Sequence, residues 1–131
     1  MTTELLAAAL LDMELHNLTD TDNLNVVAFE KETMDKLGLI PEIAPRYRAT
    51  YFSHIIGGYA AGYYSYLWAE VLDTDAFEAF KEHGVFDKNT ADSFRKNILE
   101  KGGTEDPMTL YRGFRGADPS LEPLLKNRGL K

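Results

Sequence analysis

Apolar positions recur along this 131-residue chain at helical intervals, and the residues between them are those that start and stop helices. Thr3 followed by Glu4 opens a first helix that runs to about His16. Its stretch from Leu5 to Met13, LLAAALLDM, is apolar nearly all round, and such a helix expects burial on every side. A chain of this length has trouble enclosing that helix alone, the first sign of a piece from a larger body. Asn25–Leu37 carries Val26, Phe29 and Leu37 on one side, with Lys36 in its last turn and Gly38 as the stop. Pro41 and Pro45 then keep the chain out of a long helix. A strongly apolar helix is expected from about Gly58 to Leu72, followed by another capped at Asp73 or Thr74 and ending at Gly84. Asp87 to Gly102 repeats the pattern with Phe94, Ile98 and Leu99. Asp106-Pro107 and Asp118-Pro119 each set an N-cap residue before proline at a first helical position. No alternating run of β-branched residues occurs, so the fold class is all-α: one helical domain over residues 1–131, without repeats.

Composition narrows the partners. With 14 basic against 21 acidic residues the formal charge is −7, which argues against nucleic acid or an anionic membrane as partner. The 44% hydrophobic content supports a folded core, and no apolar stretch is long enough to span a bilayer. Cysteine is absent, so there is neither a disulfide framework nor a thiolate site. The expected location is cytoplasmic.

The chain has three histidines, His16, His54 and His83, and none belongs to an HExxH pair, so no metal-ligand set is expected within it. His16 and His83 sit beside Asn17 and Gly84, where an imidazole meets the free carbonyls of a helix end. His54 keeps different company. Two glycines, Gly57 and Gly58, follow it and allow a sharp loop or close ligand approach. Tyr59, Tyr63 and Tyr66 then fall at i, i+4 and i+7, one face of a helix, with Gly58 and Gly62 leaving a smooth patch for another element. Two readings stay open. The tyrosines form an aromatic core stripe, as Tyr64 and Trp68 are expected to do, or they present neutral hydrogen-bond donors, headed by His54, to a polar ligand. The second explains why Tyr stands where Phe would pack as well, because each buried hydroxyl needs a partner.

The run from Phe52 through Trp68, FSHIIGGYAAGYYSYLW, resembles the substrate-binding segment of the thimet oligopeptidase and dipeptidyl carboxypeptidase family of zinc metallopeptidases. The opening LLAAALLDMELHNL is similar to the helix that follows the zinc-binding region of bacterial members. FEKETMDKLGLIPEIAPRYRATYFSHI, AFEAFKEHGVFD, FRKNILEKGGTEDPMTLYRGFRGADPSLEPLL and the final RGL continue the likeness across essentially the whole chain. The chain strongly resembles the bacterial peptidyl-dipeptidase branch.

The resemblance implies a multi-helical C-terminal portion of a larger zincin-type oligopeptidase. In that family a zinc-bound water attacks the scissile carbonyl of short peptides, with the HExxH glutamate as general base. By position, Tyr59 and Tyr66 match the oxyanion-stabilising tyrosines and His54 the substrate-binding histidine, with Tyr63 a further substrate contact. Whole members are several times longer, and their zinc residues precede the point where this chain begins. Zinc is therefore expected in the full-length enzyme and not in this chain, which alone is expected to be inactive. Its partners are short peptides and the missing metal-binding portion, with self-association of the fragment as another expectation. Arg46 and Arg48 stand near enough to grip a peptide carboxylate, against the plainer role of solvated surface arginines. The rival function is a non-catalytic helical peptide-binding or interaction module; a purely structural helical domain is the third.

Overall fold

The computed structural model describes residues 2–131. Its elements are helices α1 (Thr2–His16), α2 (Val26–Lys36), α3 (Ser65–His83), α4 (Lys88–Phe94), α5 (Pro107–Arg115) and α6 (Glu122–Asn127). Two 3-10 turns, Ala49–Tyr51 and Ser53–Ile56, precede α3, and a π turn, Arg95–Leu99, follows α4. No strand occurs among the described residues, so the chain is all-α as its periodicity predicts. It divides into two compact units, Met1–Leu67 and Trp68–Lys131.

In the first unit, α1 buries two of its sides. Leu5, Ala8 and Ala9 pack with Phe52, Ile55 and Tyr63, while Ala7 and Leu11 pack with Met34 of α2. The alanines let neighbouring elements come close, and only Leu6 and Leu10 of the apolar run remain exposed. Asn25 caps α2 by accepting the Ala28 N–H at 3.1 Å, and Gly38, at φ +68°, ends the helix in the left-handed region that glycine tolerates. From α2 the buried Glu30 reaches forward. It accepts the Ala49 N–H at 2.9 Å and the Arg48 guanidinium, which fixes the 3-10 turn leading into Phe52.

The helix expected from Gly58 begins instead at Ser65. Residues 57–64 form successive tight turns, with Gly62 N–H donating to Tyr59 O at 2.9 Å and Ser65 N–H to Gly62 O at 3.0 Å. A helix cannot run through this stretch, because Ala61 stands at φ +51° and the side chain of Asp12 takes the amides of Ala61 and Tyr63.

In the second unit, α3 continues through Asp73 and Thr74, where a break was expected. Thr74 turns its hydroxyl back onto the Glu70 carbonyl at 2.6 Å, so it serves the helix rather than capping a new one. Asp87 and Asp106 cap α4 and α5, accepting Thr90 N–H at 2.7 Å and Thr109 N–H at 2.9 Å. The helix read from Asp87 to Gly102 loosens into the π turn, where Asn97 bonds back to Ser93. Leu99, expected on its buried side, is exposed. Asp118 does not cap a helix at Pro119: its carboxylate binds Arg112 at 2.5 Å, and α6 starts only at Glu122.

Candidate functional site

The tight turns and the start of α3 gather rings around His54. Its imidazole centroid lies 5.0 Å from that of Tyr47, 5.2 Å from Tyr63, 5.8 Å from Tyr59 and 6.0 Å from Tyr66. Phe52, 0% exposed, forms the floor, edge-on to Tyr63 at 4.9 Å. The loop that carries Tyr59 closes on the His54 carbonyl, which accepts the Tyr59 N–H at 3.2 Å. Tyr59 and Tyr66 stack with centroids 5.2 Å apart and planes 12° from parallel. They remain 41% and 39% exposed, so two phenols face solvent side by side.

The four residues singled out in the sequence therefore share one site, though not by standing on one helix face. Tyr59 and Tyr63 lie in the turns, and only Tyr66 belongs to α3. Tyr63 differs from its companions in being 3% exposed, a ring of the core beneath the stacked pair. Tyr64 and Trp68, expected in the core, are 53% and 44% exposed. The glycines do not draw in another element either. Nothing lies within 4 Å of a Cβ built on Gly57 or Gly58, and Gly62 meets only carbonyls of its own turn.

Polar demands at the site are uneven. The Nδ1 of His54 is buried and has no hydrogen-bond partner among the described residues. Most buried nitrogens find a partner, so this one marks a place for an incoming acceptor or donor. A hydrogen bond with Tyr59 pushes the Tyr66 phenol above its ordinary value, with burial adding to the effect. Burial does the same to Tyr63, against the opposing charge of Arg46. Both phenols therefore hold their protons more tightly than a free tyrosine does.

Arg46 lies over the Tyr47 ring at 5.9 Å from its centroid, while Arg48 is tied to Glu30. His16 and His83 are held as helix-end residues, with Nδ1 at 2.8 Å from Asp12 O and 2.9 Å from Ala79 O. With those two engaged, His54 is the one histidine with a buried ring nitrogen that lacks a partner among the described residues. Among the described residues no three His, Asp or Glu side chains converge as a metal would require, so the donor set here does not fit a zinc site. No helix among them is long and apolar enough to cross a membrane.

Two members of the site were not anticipated. Tyr47 joins Phe52 and His54 as a third side of the ring cluster. Asp12 fixes the backbone of the turns from below. A single acid within the greasy run LLAAALLDM was the available signal for Asp12, because a carboxylate on an all-round apolar helix must be buried and must find donors.

Similarity to known proteins gives the chain that carries this cluster a family. The sequence profile of peptidase family M3 matches residues 1–130, and the chain belongs to that family. It is 46% identical over 134 aligned residues to the dipeptidyl carboxypeptidase of Escherichia coli K12, covering 97% of this chain and 19% of that protein. Against oligopeptidase A of the same organism the identity is 57% over 81 residues, covering 61% of this chain and 12% of the relative. A probable cytosolic oligopeptidase A of Arabidopsis thaliana is 42% identical over 128 residues, covering 93% of this chain and 18% of the relative. The chain thus spans about a fifth of the length of these curated relatives or less.

Proposed function

We propose that this chain is the substrate-side part of a peptidase active site of the peptidyl-dipeptidase type, acting on short peptides and inactive by itself. Tyr59 and Tyr66 donate hydrogen bonds to the oxygen of the scissile carbonyl as it gains negative charge. His54 binds the peptide backbone through its imidazole, and Tyr63 packs beneath and orients the pair. The zinc that activates water in the resembled family would be held by residues outside this chain, which together with it would form the complete enzyme in the cytoplasm. The observation that carries the reading is the stacked, half-exposed Tyr59–Tyr66 pair beside an imidazole whose buried nitrogen lacks a partner.

The test is hydrolysis of a short quenched-fluorescence peptide by the chain alone and after addition of the metal-binding portion of a family M3 relative. Turnover is expected only in the mixture, and Tyr59→Phe or Tyr66→Phe should lower it on the order of a hundredfold, the usual loss for one oxyanion donor. Chelator-sensitive turnover by the chain alone would sink the division of labour. Full turnover by the mixture carrying both Phe substitutions would sink the roles of the tyrosines.

A further inference from the structure

Asp12 is 0% exposed, near the C-terminal end of a helix that is apolar on every other buried side. A carboxylate taken out of water is costly unless donors meet it, and here they come from across the unit. Its Oδ1 accepts the Ala61 N–H at 3.0 Å and its Oδ2 accepts the Tyr63 N–H at 2.9 Å. On its own helix, His16 Nδ1 lies 2.9 Å from Oδ1 and 2.8 Å from the Asp12 carbonyl. Both neighbours of that nitrogen are acceptors, so it carries the proton and holds the carboxylate from the side.

Of the two amides that Asp12 takes, that of Tyr63 is one a helix begun at Tyr59 would bond to the Tyr59 carbonyl. The stretch from Tyr59 to Tyr66 has the spacing of a helix, and α3 begins just beyond it. Were α3 to extend back to Tyr59, Tyr59 and Tyr66 would stand seven residues apart along one axis. At a rise of about 1.5 Å per residue that separates them by roughly 10 Å. Their rings are instead stacked at 5.2 Å. The stacking exists only because the chain leaves the helical path at Ala61, whose φ of +51° is unfavourable for a residue with a Cβ and persists only where its surroundings hold it. Asp12, with one oxygen on the amide of that residue and the other on the amide of Tyr63, supplies the hold.

We infer that Asp12 is a positioning residue: its buried carboxylate arrests helix α3 short of Tyr63 and so stacks Tyr59 on Tyr66. The structural part of this inference stands on the geometry alone; its catalytic consequence rests on the peptidase reading above.

The experiment uses the 131-residue chain with Asp12→Asn, which keeps the shape but sets an amide group against a backbone N–H, and Asp12→Ala. Amide hydrogen exchange and proton–proton contacts between the Tyr59 and Tyr66 rings are followed by NMR. In a folded variant the Ala61 and Tyr63 amides should exchange at least about tenfold faster than in the parent while those of α2 are unchanged. The ring contacts should vanish and α3-type contacts should extend toward Tyr59. Adding Ala61→Gly, which tolerates the left-handed turn, should restore part of the ring contact in the Asp12→Asn background. Should Asp12→Ala fail to fold, Asp12→Asn with and without Ala61→Gly decides the matter. Unchanged amide protection and intact ring contacts in folded Asp12→Asn would overturn the inference. In the mixture with the metal-binding portion, kcat should fall by about tenfold or more, with KM changed much less. Lost stacking with undiminished kcat would leave the positioning role standing and remove the catalytic role of the tyrosine pair.

Discussion

Each unit of this chain has an aromatic cluster, and the two are built to nearly the same spacing. In the first, Tyr47, Phe52, His54, Tyr59, Tyr63 and Tyr66 pack with neighbouring centroids between 4.9 Å and 6.1 Å. In the second, Phe77, Phe80, Phe94 and Phe114 pack with centroids between 5.1 Å and 6.3 Å. Ring spacing is therefore about equal in both, and the chemical difference lies at the ring tips. The phenylalanine cluster makes no polar demand, and its Phe77, Phe80 and Phe94 line an apolar groove with Ile98, Met108 and Leu110. The tyrosine cluster needs hydrogen-bond partners for its phenols and leaves one imidazole nitrogen without any. Packing alone would favour the first solution everywhere, so the second unit's choice is what makes the first unit's choice informative.

The sharpest way to break the contrast is at Phe52, the one ring of the tyrosine cluster that lacks a polar atom and is wholly buried. Phe52→Ala should behave as a core deletion and lower stability by about 3–5 kcal/mol, read as a lower denaturant midpoint. If it cost less than about 1 kcal/mol, the floor of the site would be loosely packed and the cluster could not hold its phenols in place. Tyr59→Phe and Tyr66→Phe are the opposite case. Each should leave the unfolding midpoint within about 0.5 kcal/mol of the parent, as a surface change does, while lowering turnover in the assembled enzyme on the order of a hundredfold. A large stability loss with no effect on turnover would turn the tyrosine pair into an ordinary part of the core.

Both units also bury an aspartate, and here the contrast sharpens. Asp12 spends its oxygens on backbone amides, whereas Asp75 accepts the Tyr111 hydroxyl at 2.6 Å with Arg115 Nε at 3.5 Å. Tyr111→Phe leaves Asp75 short of a donor without moving backbone, so it should cost about 1–3 kcal/mol in urea unfolding and leave the tyrosine cluster of the first unit untouched. Changes in the Tyr59–Tyr66 ring contacts in that variant would count against treating the two clusters as separate devices.

What the sequence discloses depends on how far the deciding contact lies along the chain. Asn25, Asp87 and Asp106 cap helices through amides three residues away, and Gly38 and Gly84, at positive φ, stand where α2 and α3 end, so these boundaries are local and legible. Thr74 was misread because a hydroxyl can cap forward or bond back, and only the fold chooses. Asp118 was misread because Arg112, on the preceding helix, takes its carboxylate first. The tyrosine stretch was misread as helix because its partner, Asp12, is 49 residues upstream of Ala61. The candidate residues His54, Tyr59, Tyr63 and Tyr66 stand out in the sequence by their unusual company, yet the shape that brings their rings together is not a property of their own segment. Tyr47 had no signal of its own, since a tyrosine between two arginines reads as surface.

The smallest effect separates the clusters by cause rather than by size. The Tyr66 phenol is raised above its ordinary value first by its hydrogen bond with Tyr59, whereas that of Tyr111 is raised first by burial and then by the bond to Asp75. A phenol whose folded value lies above its unfolded value of about 10 binds its proton more tightly in the native state. Stability from such groups is therefore fully present below about pH 10 and is lost as pH climbs from there through the folded values. Urea midpoints should be level between about pH 8 and 9.5 and fall above pH 10, and Tyr111→Phe should flatten that fall. Absorbance titration of the phenolates then distinguishes the two causes. Tyr59→Phe removes the partner that holds the Tyr66 proton, so the Tyr66 midpoint should drop toward the ordinary value while that of Tyr111 stays where it is. If Tyr66 titrated unchanged without the Tyr59 hydroxyl, burial would be the common cause in both clusters, and the paired phenols would lose their claim to act as a unit.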